Sequence, residues 1–227
     1  LPVKADPVAR ARALAPALEA AADEIERTQE IPEPLLSQFH EARLFRMLLP
    51  RSVGGDQVEP WTYMRAIEEI ARSDGSVGWN LGNNAVGQLI ALSLPHEGVD
   101  EVFASGPDAI VAGTAVPGGG TAVPVEGGYL VSGRWPFGSG CRESQWMLCN
   151  FDHVVDGKPE LYRALLPTHQ ATILDNWDMT GMRGTGSHDW TIKDVFVPTR
   201  RTVRIEGRLL VNQWQRWPGT LYQLPVH

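Results

Sequence analysis

The sequence predicts an α+β fold: an all-helical N-terminal domain over residues 1–108, then an antiparallel β-barrel or sandwich domain over 109–208. Two observations carry this expectation. Apolar residues recur at helical spacing through roughly the first hundred residues, and after about Asp108 the pattern switches to short runs of period two separated by turn residues. A chain of 227 residues, 43% hydrophobic and 21% charged, can bury the core such a fold needs.

In the helical part, "ARARALAPALEAAADEIERTQ" predicts one long helix from Asp6 to Gln29, with Leu14, Leu18, Ala21, Ala22 and Ile25 on one stripe. Pro34 opens a second helix, "EPLLSQFHEARLF", where a first-turn proline costs little. Gly54 and Gly55 mark a turn. A third helix follows from Pro60, with Trp61, Met64, Ile67, Ile70 and Ala71 on its apolar face.

A fourth helix, Ser76 to Leu94, is apolar nearly all round and so predicts burial, yet Asn80, Asn84 and Gln88 fall along one line at i, i+4 and i+8. Buried amides need partners. Two readings stay open: the amides bond neighbouring backbone or side chains, or they face a wet cavity and a ligand. Gly78, Gly82 and Gly87 weaken this helix, which suggests that something packs closely there.

In the β-part, "AIVAGTA", "TAVPVE", "YLVSGRW", "QWMLCNF", "LYRALLP", "ATILDNW" and "WTIKDVFVP" read as strands. Glu126-Gly127-Gly128 and Asp156-Gly157 predict hairpin turns. Pro124 and Pro136 predict an edge or a bulge. The last segment, "GRLLVNQWQRWPGTLYQLP", lacks strand alternation, and its Trp214, Trp217 and Tyr222 are expected to pack on another domain. The chain begins at Leu1 and runs to His227 without a stop signal after Pro225, so we expect a piece of a longer protein.

Composition excludes several classes of function. A net charge of -7, from 20 basic and 27 acidic residues, opposes a phosphate-binding surface, so no nucleic-acid partner is expected. No apolar run is long enough for a membrane span. Cys141 and Cys149 form no metal or disulfide framework and suit a reducing, cytoplasmic setting. Dinucleotide-binding, Walker, H-E-x-x-H and G-x-S-x-G patterns are absent, and no metal site is expected. His188-Asp189 suggests a dyad, but adjacent strand residues point to opposite faces.

The stretch "GRWPFGSGCRESQW" (133–146) carries the strongest chemical hint. Aromatics beside a hydroxyl and glycines suit either a bulged β-core or a flat ligand. In the second case one ring face lies on Phe137 or Trp135, and Ser139 with nearby backbone N–H groups bonds its polar edge; a flavin fits that description.

"RSDGSVGW" (72–79), "GGYLVSGRWPFGSGCRESQW" (127–146) and "WDMTGMRGTGSHDWTIKDVFVP" (177–198), in this order and spacing, resemble the acyl-CoA dehydrogenase superfamily, most closely its two-component flavin-dependent monooxygenase branch. The resemblance covers essentially the whole chain. It implies a C-terminal four-helix domain beyond this chain, with residues 209–227 as the linker to it, and a homotetramer. It implies bound reduced flavin, FMN or FAD, supplied by a partner flavin reductase, with O2 and a small organic substrate, aromatic compounds included.

By the same resemblance the cofactor-binding residues are Thr114, Trp135, Phe137, Gly138 and Ser139. Phe137 replaces the family's ring-backing tryptophan, and Ser139 replaces the threonine that reaches flavin N5 and is the catalytic candidate. Thr114, Pro117 and Gly118 resemble the flavin-edge loop with one extra residue. The substrate candidates are Trp79, Asn84, Gln88 and Arg183, with Thr185 beside Arg183. Two alternatives stay open: an acyl-CoA dehydrogenase oxidising a thioester across Cα–Cβ, and a flavin-free assembly module.

Overall fold

Proline sits at the first or second position of the first four helices, where its missing N–H is no loss. These are α1 (Pro7–Arg12), α2 (Ala15–Thr28), α3 (Glu33–Glu41) and α4 (Pro60–Ser73), followed by α5 (Gly75–Ala91) and α6 (His96–Val102). The computed structural model describes residues 6–114, 116, 118–206, 209, 210, 217, 219 and 222; Pro117 and Trp214 lie outside them. The single helix expected over Asp6–Gln29 is two, because Pro16 removes an amide from the interior of such a helix and the chain breaks just before it. Among the described residues no helix is long and apolar enough to cross a membrane.

α5 is the central helix. Asp74 caps it, accepting from Val77 N at 2.9 Å, and most of its length is buried. Its glycines mark close crossings: a Cβ at Gly78 would stand 2.7 Å from the Ala71 Cβ on α4, and one at Gly87 would stand 2.6 Å from the Val111 carbonyl oxygen. Side chains of α1–α5 then close an apolar core around Leu18, Ile25, Phe39, Ile70 and Leu81.

Among the described residues the β-part is one sheet of nine strands: β1 (Val111–Gly113), β2 (Gly120–Val125), β3 (Gly128–Gly138), β4 (Trp146–Val155), β5 (Lys158–Pro167), β6 (Thr172–Ile173), β7 (His188–Pro198), β8 (Thr202–Glu206) and β9 (Leu209–Leu210). The order is β6-β7-β3-β2-β4-β5-β8-β9, with β1 beside β4. Both expected hairpin turns form, with Gly127 at φ 78° and Asp156-Gly157 at 49° and 77°. The sheet is mixed, which corrects the antiparallel barrel or sandwich expected. β1 runs parallel to β4, and β2 meets β4 in parallel at Thr121 and Asp152. The reason is that β1 arrives from the helical region and is pinned there by α5, whose Asn84 and Gln88 amides bond Val111 N and Ala109 O.

Trp135 of β3 stacks on Trp190 of β7, ring centroids 4.5 Å apart, inside a core shared with Phe151 and Ala164 of β4 and β5. Trp217 and Tyr222 are buried against this chain's helical region, as expected of aromatics that cover another domain, Trp217 Nε1 donating to Leu92 O at 3.2 Å and Tyr222 Oη to Leu48 O at 3.0 Å.

Candidate functional site

Regular alternation would put Trp135 and Phe137 of β3 on the same face. The pairing of β3 with β7 slips between Trp135 and Gly138, and Phe137 takes φ 62°, a region bulky L-residues seldom occupy. The bulge splits the pair. Trp135 is fully buried, its Nε1 donating to Asn150 O at 2.8 Å, while Phe137 is 56% exposed with its ring edge-on to Trp177. Trp135 is therefore a core residue and is withdrawn as a flavin contact. Gly138 is buried too, and a Cβ added there would stand 3.0 Å from Trp190 Cδ1.

Two residues beyond Phe137, the half-buried Ser139 is the meeting point of three elements. Trp79 of α5 donates to its Oγ through Nε1 at 3.1 Å. Ser139 Oγ lies 2.7 Å from Ser187 Oγ, Ser187 Oγ lies 2.6 Å from Thr185 Oγ1, and Thr185 Oγ1 donates to Met182 O at 2.9 Å. Thr185 O in turn accepts from Gly140 N at 2.9 Å and from Asn80 Nδ2 at 3.3 Å.

The other expected site residues divide. Trp79 is 54% exposed beside Ser139 and borders an apolar groove of about 360 Å³ between α4 and α5, with Tyr63, Met64, Ile67, Val86 and Met182. Asn84 lines a small cavity with Ser139, but its Oδ1 is committed to Val111 N at 2.7 Å. Gln88 is 1% exposed and donates to Ala109 O at 2.8 Å, so it clamps backbone and is withdrawn as a substrate contact. Arg183 pairs with Asp178 at 2.7 Å and with Glu26 at 3.4 Å, which commits its charge within the chain. Thr114 is buried and shapes its own loop, accepting from Val116 N at 3.1 Å.

Two residues of the site were missed in the sequence. Ser187 lies in the same "RGTGS" stretch as Thr185, and a hydroxyl two residues from another across a glycine was the available signal. Glu143 lines the small cavity with Ser139, Asn80 and Asn84 and accepts from Ile31 N at 2.6 Å; burial pushes its carboxyl up to about 7. The cavity, about 10 Å³, has room for one water. His188 and Asp189 form no dyad: His188 is fully buried, its Nδ1 accepts from Asn176 N and Trp177 N, burial lowers its pKa, and Asp189 pairs with Arg134. Among the described residues no cluster of His, Cys, Asp or Glu could hold a metal ion.

The donor set fits a flat heterocycle. Phe137 offers an open aromatic face, and Ser139 offers an oxygen in a partly desolvated recess.

Residues 9–97 match the acyl-CoA dehydrogenase N-terminal domain. The "Flavin-dependent monooxygenase, oxygenase subunit HsaA" of Rhodococcus jostii is 31% identical over 219 residues, 95% of this chain and 57% of that protein. Residues 9–97 thus belong to the acyl-CoA dehydrogenase N-terminal domain family. The chain is also similar to the indole-3-acetate monooxygenase of Pseudomonas putida, 32% identical over 96% of this chain and 58% of the relative. The solved structure of XiaF from Streptomyces sp., in complex with FADH2 and glycerol, superposes with a TM-score of 0.84 at 30% identity, over 91% of this chain and 52% of that one. This acyl-CoA dehydrogenase-like chain thus spans little more than half the length of the relatives it matches.

Proposed function

We propose that the protein to which this chain belongs is the oxygenase component of a two-component flavin-dependent monooxygenase, hydroxylating a small aromatic substrate. The observation that carries this reading is the position of Ser139, half-buried between the exposed ring of Phe137 and the apolar groove beside Trp79. Relatives named as monooxygenases and a neighbour holding FADH2 support it.

On this reading Phe137 backs the isoalloxazine ring and Ser139 holds the proton at flavin N5. Bound reduced flavin supplies the electrons that activate O2. The chain's own residues position and shield. The groove of Tyr63, Ile67, Trp79 and Val86 is apolar and takes an aromatic ring by burial and edge contacts. Trp79 lines the groove and bonds the hydroxyl, so it would hold a substrate ring in the groove close to a flavin edge bonded by Ser139 and would help keep water out.

The proposal extends to a flavin reductase as partner and to a cytoplasmic setting, supported by two buried free cysteines. A homotetramer is supported by Trp61 and Met64, 69% and 59% exposed on α4, which leave apolar surface for another helical element to cover.

Whole protein, NADH, a flavin reductase, O2 and a panel of indoles and phenols should yield a hydroxylated product. Bleaching of the bound flavin by an acyl-CoA in the presence of an artificial electron acceptor, with no hydroxylation, would assign the protein to the dehydrogenase reaction instead.

A further inference from the structure

The hydroxyl chain at Ser139 has a direction that follows from counting protons. A hydroxyl carries one proton and two lone pairs. A carbonyl has no proton to give, so the contact between Thr185 Oγ1 and Met182 O uses the Thr185 proton. Ser187 must then donate to Thr185, and that uses the Ser187 proton. Ser139 must in turn donate to Ser187. Trp79 Nε1 is a donor only, and it occupies one Ser139 lone pair. What remains on Ser139 Oγ is a single lone pair, and the hydroxyl meets any further ligand as an acceptor.

We propose that Thr185 and Ser187 are positioning residues that set the redox preference of the site, by holding Ser139 as a hydrogen-bond acceptor that receives N–H from a reduced flavin and opposes the bare nitrogen of an oxidised one. This rests on the reading above that Ser139 meets flavin N5. Reduced flavin carries a proton on N5 and completes the chain: N5–H to Ser139, Ser139 to Ser187, Ser187 to Thr185, Thr185 to Met182 O. Oxidised flavin presents a lone pair at N5. To bond it, Ser139 must withdraw its proton from Ser187 and leave that part-buried contact unmade, which costs one hydrogen bond. No covalent step is involved, because the selectivity is a difference in binding free energy between two redox states.

Ser187 is buried and Thr185 is 2% exposed. Neither hydroxyl faces solvent, so water is poorly placed to replace either partner. The Thr185 backbone is itself anchored, accepting from Gly140 N and donating to Met182 O, so the chain starts from a fixed carbonyl.

The test is anaerobic titration of the whole protein with oxidised and with photoreduced FMN and FAD, followed by flavin fluorescence and absorbance, giving the ratio of the two dissociation constants. The unaltered protein is expected to bind reduced flavin more tightly. Ser187→Ala frees the Ser139 proton for oxidised N5 and is expected to lower the preference about tenfold, or about 30 mV in the two-electron potential of the bound flavin. Thr185→Val, which keeps the side-chain shape, is expected to move the ratio the same way, and Thr185→Ser to restore it. Circular dichroism and melting confirm that each variant is folded, and the ratio is read within one protein, so a uniform loss of affinity does not move it. Unchanged ratios in Ser187→Ala and Thr185→Val, with reduced flavin still bound, would overturn this proposal and leave the functional reading standing. Failure of the unaltered protein to bind flavin in either state would overturn both.

Discussion

Trp79 on α5 and Ser139 at the end of β3, sixty positions apart in the chain, are joined by a hydrogen bond of 3.1 Å from the indole nitrogen to the hydroxyl oxygen. The helical part thereby supplies the wall of the apolar groove and one of the two protein partners of the candidate catalytic hydroxyl.

Ser139→Ala should leave the fold intact, since the residue is half-buried and its loss removes hydrogen bonds worth about 1 kcal/mol each. Coupling should fail instead: hydrogen peroxide released per NADH consumed is expected to rise several-fold while hydroxylated product falls. Product formed in unchanged proportion to O2 used would remove Ser139 from its assigned role.

Trp135→Ala should act in the opposite way. Removing a fully buried indole that stacks on Trp190 and bonds Asn150 O is expected to destabilise the protein by about 3–5 kcal/mol, read by chemical denaturation. In the variant that remains folded at low temperature, flavin affinity should change little. A selective loss of flavin binding with normal stability would return Trp135 to the cofactor contacts.

Phe137→Gly separates strain from binding. The left-handed φ of 62° favours glycine, offsetting the lost edge contact with Trp177, so stability should stay within about 1 kcal/mol of the parent. Flavin affinity should fall about tenfold or more as the exposed ring face is lost. Equal affinities for the two proteins would show that the ring is not the backing surface.

Glu143 sets a pH dependence. Burial, with Glu30 nearby and opposed by Arg142 and by the Ile31 amide, raises its carboxyl from 4.5 to about 7 in the folded protein. The folded state therefore holds a proton that the unfolded chain releases, and stability falls as pH rises from about 4.5 to about 7, then levels off. The fall is about 3 kcal/mol at most. Glu143→Gln keeps the acceptor for Ile31 N and should flatten this slope, measured as melting temperature against pH. A slope of the same size in the variant would place its origin elsewhere.

Much of the fold was legible because its signals are local. Proline at helix starts, glycine in the two hairpins and the apolar stripes of α2 and α4 depend on residues within one or two turns of one another. The break before Pro16 and the short α6 were not, the first because the apolar stripe runs unbroken across it, the second because seven residues carry too little periodicity to stand out. At the candidate site, residue type and resemblance pointed to Ser139, Phe137 and Trp79, and the fold brings Trp79 to Ser139 beside the exposed Phe137. Trp135 was misplaced because a β-bulge resets alternation, and only the pairing with β7 reveals it.

The sequence by itself determined a helical region followed by strands, the hairpin turns and an aromatic and hydroxyl stretch suited to a flat ligand. Tertiary structure alone decided that the sheet is mixed, that Gln88 and Arg183 are spent on internal partners, and that the Ser139 hydroxyl is held between Trp79 and Ser187. The reason is that a hydroxyl's role depends on where its one proton goes. That depends on Ser187 and Thr185, brought to Ser139 from 48 and 46 positions away by the folding of β3 against β7.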